Sequence, residues 1–319
     1  MQYFHEKAST RRGKNTLVSL MDEFNQWQED LEVVKGIAVN YYQKLFTSNH
    51  HVVKQMHPFI APGLDGMNPF FYQHFWPIVG ECVTTCVLDF LNLGVIPPKF
   101  NETHITLIPK VKDPKKITEY QPISLSNVVS RISSKVLANR LKVILPTIIS
   151  DNQRAVMSNR LIIDNILVVF EVMNHISQKM GGSTGEMALK LDMSKTYDKV
   201  EWGGLVQFIG RMGFHTKWIK IIMRCLSSII YSIRINGVPQ GHITPTRGLR
   251  QGDPLSPYLF LLCAEGLSSL IKKAAMEDKI HGISICRRGP QLSHLLFTDD
   301  SLMFCQAITK ECEELLRLL

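Results

Sequence analysis

The stretch HLLFTDDSLMF, residues 294–304, places two adjacent aspartates between two short apolar runs. Apolar runs on both sides of so short a polar break predict a tight hairpin with Asp299 and Asp300 at its tip. Adjacent carboxylates repel each other, and neither gains from apolar surroundings. Because Asp is common in turns, an exposed turn without any function is the alternative interpretation.

A third carboxylate, Asp192, lies in another predicted strand and suggests a metal-binding role for Asp299 and Asp300. LKLDMSKTYDKVEW, residues 189–202, begins with alternating apolar and polar residues, which predicts a strand over 187–195 with Asp192 near its end. If that strand and the hairpin are neighbours in one sheet, three carboxylates converge and require a cation. Mg²⁺ accepts both carboxylates and substrate phosphates. Two such ions about 4 Å apart clamp the attacking and leaving oxygens of a phosphoryl displacement.

Other segments fit phosphoryl transfer to a nucleotide, and each has a plainer interpretation. Tyr197 could pack against a sugar and leave no room for a 2′-hydroxyl, or it is a core aromatic. In RGLRQGDPLSP, residues 247–257, glycine permits close backbone approach and Gln251 can pair with a base or ribose edge; the alternative is an ordinary loop before a helix. The lysines of LIPKVKDPKK could hold a triphosphate, although Lys115 and Lys116 are expected to form a solvated basic turn.

Composition favours a globular protein with a polyanionic partner. The chain of 319 residues has a formal net charge of +8, which favours nucleic acid through steering and counterion release. Its seven cysteines include no C-x-x-C pair and mostly have apolar neighbours, so they are interpreted as buried thiols in a reducing compartment. The polar, basic start is no secretory signal, and charges interrupt the longest apolar stretch, residues 78–96.

The order of predicted elements indicates an α+β fold. One or two helices are predicted over 16–46, and further helices over 70–94, 125–146 and 160–179, with a loop over 58–69. Strands are predicted over 103–109, within 187–195 with an end near Asp192, and over 231–235, followed by a hairpin turn at Asn236-Gly237. A long helix follows, with Ser256 as N-cap and Pro257 as its first residue.

The motifs around Asp192, Gln251 and Asp299 occur in the order typical of the palm of reverse transcriptases. Three further blocks, residues 61–76 (APGLDGMNPFFYQHFW), 105–142 and 151–171, resemble the finger side of plant-type non-LTR (LINE-type) retrotransposon enzymes. The resemblance implies a right-hand polymerase fold. It places an N-terminal helical extension at 1–57, fingers at 58–186 and a palm at 187–319, with a connecting segment at 210–245. It also leads us to expect a fragment of a decayed or partial element, truncated before the thumb and without an endonuclease domain.

The resemblance also implies a role for each matching residue. Asp192 and Asp299 would hold two Mg²⁺ ions, with Mn²⁺ possible, and Asp300 would be more peripheral. Tyr197 would exclude ribonucleotides, and Gln251 with Gly252 would lie beneath the template and incoming nucleotide. Lys110, Gln121 and Arg160 complete the expected substrate-binding set.

The implied activity is RNA-directed DNA polymerisation. A primer 3′-hydroxyl would attack the α-phosphate of a dNTP and release pyrophosphate. The implied partners are an RNA template, a DNA primer and dNTPs, with no membrane and no disulfide-linked partner. The implied location is intracellular, with nuclear action suggested by the family alone.

Some positions depart from the family pattern. Gln121 replaces an arginine expected at the triphosphate, and losing such a charged contact costs roughly 1.5–3 kcal/mol, or about ten- to hundredfold in rate. Thr298 and Thr196 replace usual alanines, and Ser158-Asn159 replaces a usual Pro-Gly. An inactive remnant that at most binds RNA or an RNA–DNA hybrid is therefore the alternative. An unrelated metal-dependent phosphatase explains only the carboxylates.

Overall fold

The computed structural model describes residues 20–21, 26–30, 32–35, 51–153, 162–179, 181, 184–192, 196–286, 289–297 and 300–319. The chain forms two compact units, Met1–Gln55 and Met56–Leu319.

The first unit contains two very short strands, β1 (Leu20–Met21) and β2 (Trp27–Gln28), paired antiparallel. Residues 32–35 are helical, and the Asp30 carboxylate accepts hydrogen bonds from the backbone N–H groups of Glu32 (2.8 Å) and Val33 (3.3 Å). The helix predicted over 16–46 is therefore wrong at both strands, since an aspartate that caps the backbone here starts the helix only after it. The rest of that range lies mostly outside the described residues.

The remaining elements follow in chain order. They are α1 (His51–Lys54) in the first unit and, in the second, α2 (Pro69–His74), α3 (Trp76–Leu88), β3 (Glu102–Pro109), β4 (Tyr120–Ser126), α4 (Val128–Ile148), α5 (Ile162–Gln178), β5 (Glu186–Asp192), α6 (Thr196–Lys199), α7 (Trp202–Arg211), α8 (Thr216–Ser227), β6 (Ile230–Ile235), β7 (Val238–Ile243), α9 (Ser256–Met276), β8 (His294–Phe297), β9 (Asp300–Gln306) and α10 (Thr309–Leu318).

Two sheets organise the second unit, and both contain strands predicted from the sequence. A four-stranded sheet has the order β4-β3-β6-β7, with β3 and β6 parallel and the other pairs antiparallel. A three-stranded antiparallel sheet has the order β5-β9-β8. Asn236 and Gly237 both have positive φ, 50° and 84°, which confirms the predicted turn between β6 and β7.

Most predicted helices are present, with three corrections. The helix predicted over 70–94 is divided at Phe75 into α2 and α3, and its last turn ends at Gly94, which caps it in the left-handed region at φ 73°. Ser256 is the first residue of α9, and Leu255 occupies the N-cap position without a side-chain cap, so the predicted cap is one residue wrong. The helix predicted over 125–146 begins only at Val128, because Leu125 and Ser126 still pair with β3.

A buried apolar cluster packs α5 against the three-stranded sheet. Val172 of α5 packs with Ile283, Leu295 of β8 and Phe304 of β9 in one buried cluster. Each such side chain stabilises the fold by roughly 1.5–3 kcal/mol when fully buried. The strands that carry Asp192 and Asp300 therefore rest on a packed layer.

The thiols are more exposed than predicted. All seven cysteines are free, but Cys82 and Cys286 are exposed and only Cys225 and Cys305 are buried. Apolar neighbours in sequence misled the prediction, since on a helix such as α3 they do not decide which side a residue faces. Across the described residues, no helix is both long and apolar enough to cross a membrane.

Candidate active site

The ends of two strands bring predicted metal ligands to one place. In the antiparallel pairing of β5 with β9, Asp192 is the register partner of Asp300. The β8–β9 hairpin closes with Phe297 opposite Asp300, which leaves a two-residue connection and confirms the predicted tight hairpin. Cα atoms of directly opposed residues lie about 4.5–5.5 Å apart, so the two aspartates are neighbours at the backbone level.

Only one of the three carboxylates has a described side chain. Asp300 is about half exposed, and its Oδ1 lies 3.0 Å from Lys190 Nζ on the neighbouring strand. The side chain of Asp192, and all of Asp299 and Arg160, lie outside the described residues. Among the side chains that are described, no group of three or more His, Cys, Asp or Glu could hold a metal ion.

The donor chemistry at this end of the sheet suits a hard divalent cation. Like charges directly opposite in an antiparallel pair destabilise it, and here the register opposes two aspartates. A lysine ammonium already lies beside one of them. Carboxylate oxygens are the ligands that Mg²⁺ takes in proteins, so these residues fit such an ion.

Tyr197 is tied to the glycine-rich loop. Its backbone carbonyl accepts a hydrogen bond from Leu249 N at 2.7 Å, and Val200 O accepts one from Gly248 N at 2.8 Å. The half-buried Tyr197 ring stacks on Phe260 of α9, with centroids 5.0 Å apart and planes at 20°. The segment that bears Tyr197 and the loop that bears Gln251 are therefore adjacent.

The absence of a side chain at Gly248 allows the glycine-rich loop to approach the backbone of residues 197–200 closely. Its φ is +90°, and an added Cβ would lie 2.9 Å from Asp198 O, so only glycine fits without displacement. The indole N–H of Trp202 donates to Gly248 O at 2.7 Å, which is a further contact to the same loop.

Within the glycine-rich loop, residues 247–257, two central residues are exposed to solvent and the residues on either side of them are buried. Gln251 and Gly252 are exposed, whereas Arg250 and Asp253 on either side are buried, at 3% and 7% relative exposure. Asp253 Oδ1 accepts a hydrogen bond from Leu255 N at 2.9 Å, which caps the approach to α9. Sequence reasoning selected the exposed residues and missed the buried pair, because a charged residue in a polar loop carries no sequence signal of burial.

Charge is concentrated beneath this loop. Burial lowers the pKa of the Arg131 guanidinium, and the nearby positive charge of Arg250 lowers it further, while Asp253 opposes both effects. Burial likewise raises the pKa of the Tyr231 phenol, with Arg250 acting in the opposite direction. The loop is therefore supported by a partly desolvated arrangement of charges.

The β3–β4 hairpin carries the remaining predicted contacts. Gln121 is exposed and is the register partner of Ile108, and Lys110, also exposed, donates its backbone N–H to Glu119 O at 2.8 Å. Lys110 and Gln121 thus occupy the same end of the hairpin. Lys115 and Lys116 are exposed too, as the solvated-turn interpretation expects.

Comparison with known proteins decides the family. A family model described as "Reverse transcriptase (RNA-dependent DNA polymerase)" matches residues 108–319. The chain belongs to the reverse transcriptase family. This membership leaves the unrelated phosphatase without support.

Relatives of this chain include proteins of mobile elements. It is 26% identical over 80% of its length to a transposon TX1 protein of Xenopus laevis, of which it covers 19%. It is 23% identical over 77% of its length to a Pol polyprotein of the R2 retrotransposable element of Nasonia vitripennis, of which it covers 22%. An uncharacterized mitochondrial protein of Arabidopsis thaliana is 57% identical over 21% of the chain, which covers 55% of that protein.

These relatives confirm the non-LTR part of the resemblance, whereas the plant-type restriction stays a prediction. The chain spans about a fifth to about half of the length of these relatives.

Proposed function

We propose that this chain carries the nucleotidyl-transfer centre of an RNA-directed DNA polymerase. The observation that supports it best is the register that opposes Asp192 and Asp300 at the end of one ladder. The hydrogen bond from Leu249 N to Tyr197 O then links the proposed sugar-sensing residue to the proposed nucleotide loop. Family membership supplies the reaction class.

The proposed mechanism assigns a task to each residue. Asp192, Asp299 and Asp300 would hold two Mg²⁺ ions, or Mn²⁺, which when bound stabilise the charge on the attacking and leaving oxygens of an in-line displacement. Tyr197 would contact the sugar and reject a 2′-hydroxyl. Gln251 and Gly252 would support the template and incoming dNTP.

The β3–β4 hairpin would provide the phosphate contacts in this proposal. Lys110 would face the triphosphate, and Gln121, at the same end of the hairpin, would contribute a neutral contact. Arg160 would join them. The primer 3′-hydroxyl attacks the α-phosphate, and the new phosphodiester forms as pyrophosphate leaves.

The proposed architecture is a right hand with fingers at 58–186 and a palm at 187–319. The four-stranded sheet with its exposed hairpin falls in the fingers and connecting segment, and the three-stranded sheet with the aspartates falls in the palm. A template–primer would lie between these parts, and nuclear action is part of the same proposal.

Gln121 favours a second candidate, a protein that binds RNA or an RNA–DNA hybrid without extending it. Primer extension on an RNA template with Mg²⁺ or Mn²⁺ separates the two. We expect weak extension by the wild-type chain and none by Asp300→Asn or Asp299→Asn, while all three bind template–primer equally in fluorescence anisotropy. Binding without any extension would favour the second candidate, and extension by both Asn variants would contradict the proposed metal site.

A further inference from the structure

A buried polar cluster lies under the exposed Gln251–Gly252 pair and joins three parts of the chain. Arg250 donates from one terminal nitrogen to Asn101 Oδ1 and from the other to Thr103 Oγ1, the latter at 3.3 Å. Asp253 Oδ2 accepts a hydrogen bond from Ser134 Oγ of α4 at 3.0 Å. The loop is thus fastened to the start of β3 and to α4.

Asn101 extends the connection to a further helix. Its side-chain nitrogen donates to Cys225 O at 2.9 Å and to Ser228 Oγ at 2.8 Å, both at the C-terminal end of α8. Asn101 itself is 4% exposed. A single guanidinium therefore connects the loop to β3 directly and to α8 through one amide.

This cluster is poorly explained as a device for stability alone. Buried ion pairs are often replaceable by apolar residues without loss of stability. Here Arg250 Nε lies 3.7 Å from Asp253 Oδ2, and within the described residues it has no hydrogen-bond partner. The planar guanidinium of Arg250, called the fork below, restricts the loop instead. Its two terminal nitrogens bind fixed acceptors and so set the position and direction of the adjacent backbone.

We propose that Arg250 is a positioning residue that sets both nucleotide affinity and sugar discrimination. Its fork fixes the backbone from which Gln251 and Gly252 project, and the adjacent Leu249 N–H holds the carbonyl of Tyr197. If the fork loses its acceptors, the backbone of Gln251 and Gly252 and the hydrogen bond from Leu249 to Tyr197 lose their support together. This inference rests on the proposed function for its kinetic consequences, although the structural consequence can be measured without catalysis.

The test compares two changes at the Arg250–Asp253 pair, neither of which leaves one charge of the pair without the other, with a control that leaves the pair untouched. Arg250→Met together with Asp253→Asn removes both charges, so neither is left buried alone. Arg250→Lys keeps the charge but loses the fork. Arg247→Met is the matched control, since Arg247 belongs to the same loop and its ion pair with Glu201, 3.2 Å long, is exposed.

Steady-state kinetics with dNTP and rNTP give the first measurement. In the double variant we expect the KM for dNTP to rise about tenfold or more and the preference for dNTP over rNTP to fall, with kcat changed less than about threefold. Arg250→Lys should lie between the double variant and the wild type, and Arg247→Met should match the wild type. An unchanged KM and unchanged sugar preference in both folded Arg250 variants would overturn the proposal.

Hydrogen exchange keeps the proposal testable if the wild type does not extend primers. Exchange at the amides of Gly248 and Leu249 should quicken by about tenfold in the double variant and less in Arg250→Lys, while exchange in β9 and α9 stays as in the wild type. Arg247→Met should change none of these. Protection retained at the loop in both Arg250 variants would overturn the positioning role, whereas missing extension with the expected exchange pattern would count only against the proposed function.

Discussion

Gln121 belongs to the proposed substrate-binding set and replaces the arginine that the family pattern leads us to expect. It is exposed at the same end of the β3–β4 hairpin as Lys110, and it brings hydrogen-bonding capacity without charge. We expect Gln121→Arg to increase primer extension by about ten- to hundredfold, because a charged phosphate contact is worth roughly 1.5–3 kcal/mol. The measurement is kcat/KM for dNTP on an RNA template. Gln121→Ala serves as the control and should bring no gain, and a folded but unimproved Arg variant would show that another feature limits the rate.

His294 offers a residue-scale test of the fold itself. It lies fully buried between Ser293 Oγ (2.9 Å from Nδ1) and Ser268 Oγ (2.8 Å from Nε2), and burial lowers its pKa from 6.5 to about 4. The unfolded chain therefore takes up this proton first as the pH falls. The stabilisation is complete above pH 6.5 and is lost as the pH falls to about 4, a total of about 3 kcal/mol.

Denaturant unfolding of the wild type and of His294→Gln checks that expectation. Between pH 6.5 and pH 5 the wild type should lose stability by about 1 kcal/mol per pH unit more than the variant does. Parallel pH profiles for the two proteins would contradict it.

At the scale of elements, the loop over 58–69 depends on one glycine for its contact with α4. A Cβ on Gly63 would lie 2.6 Å from the backbone carbon of Ser126, and it would also collide with Asn127 at the start of α4. Asn127 in turn accepts a hydrogen bond from Asp65 N at 3.3 Å and donates one to Lys99 O at 2.9 Å. The glycine is thus required by close approach of two backbones.

Gly63→Ala should lower the free energy of unfolding by about 1–3 kcal/mol, as overpacking against a backbone does. Gly204→Ala is the matched control, because Gly204 lies inside α7 with open space around it and should gain about 0.5–1 kcal/mol. Thermal unfolding of both variants decides between these opposite signs. Equal stability for the two would mean that the 58–69 loop yields without resistance.

Sequence patterns predicted some elements well and others poorly for identifiable reasons. Strong alternation revealed β3 and β5, and the Asn236-Gly237 turn revealed the β6–β7 hairpin. β4 was missed because Pro122 argues against a strand, yet β4 is the edge of its sheet, where a missing N–H is tolerated.

The same contrast holds for the site. Asp192 and Asp300 could be predicted as neighbours because strand ends and a hairpin are local signals, and their register confirms it. Arg250, Asp253 and Asn101 could not be predicted, because their partners lie on elements more than a hundred residues apart in sequence, as the 149-residue separation of Arg250 from Asn101 shows. Long-range polar contacts of this kind require the fold itself.

For the whole molecule, the net charge of +8 leads us to expect that binding of the proposed template–primer is sensitive to salt. We expect the logarithm of template–primer affinity to fall linearly with the logarithm of salt concentration, with a slope of about −0.9 for each phosphate neutralised on a duplex. Replacing Lys110, Lys112 and Lys115 by Met should reduce that slope by up to about 3 units. Anisotropy titrations at several salt concentrations measure it.

A control for this salt experiment replaces Lys273 and Lys279 by Met, since both lysines already pair with Glu277. Their loss should leave the slope close to that of the wild type. A slope unaffected by the hairpin lysines would place the nucleic acid elsewhere on the surface.

The ladder between β5 and β9 continues into further contacts beyond Gln306. It runs without interruption from Glu186 opposite Gln306 to Asp192 opposite Asp300. Beyond Gln306 the chain is secured by Ala307 N to Gly185 O at 2.9 Å, and Gln306 N itself donates to Glu311 Oε2 at 3.0 Å. We expect fraying to start at the aspartates, because two like charges oppose each other there, and a divalent ion bound between them would hold that end of the ladder together.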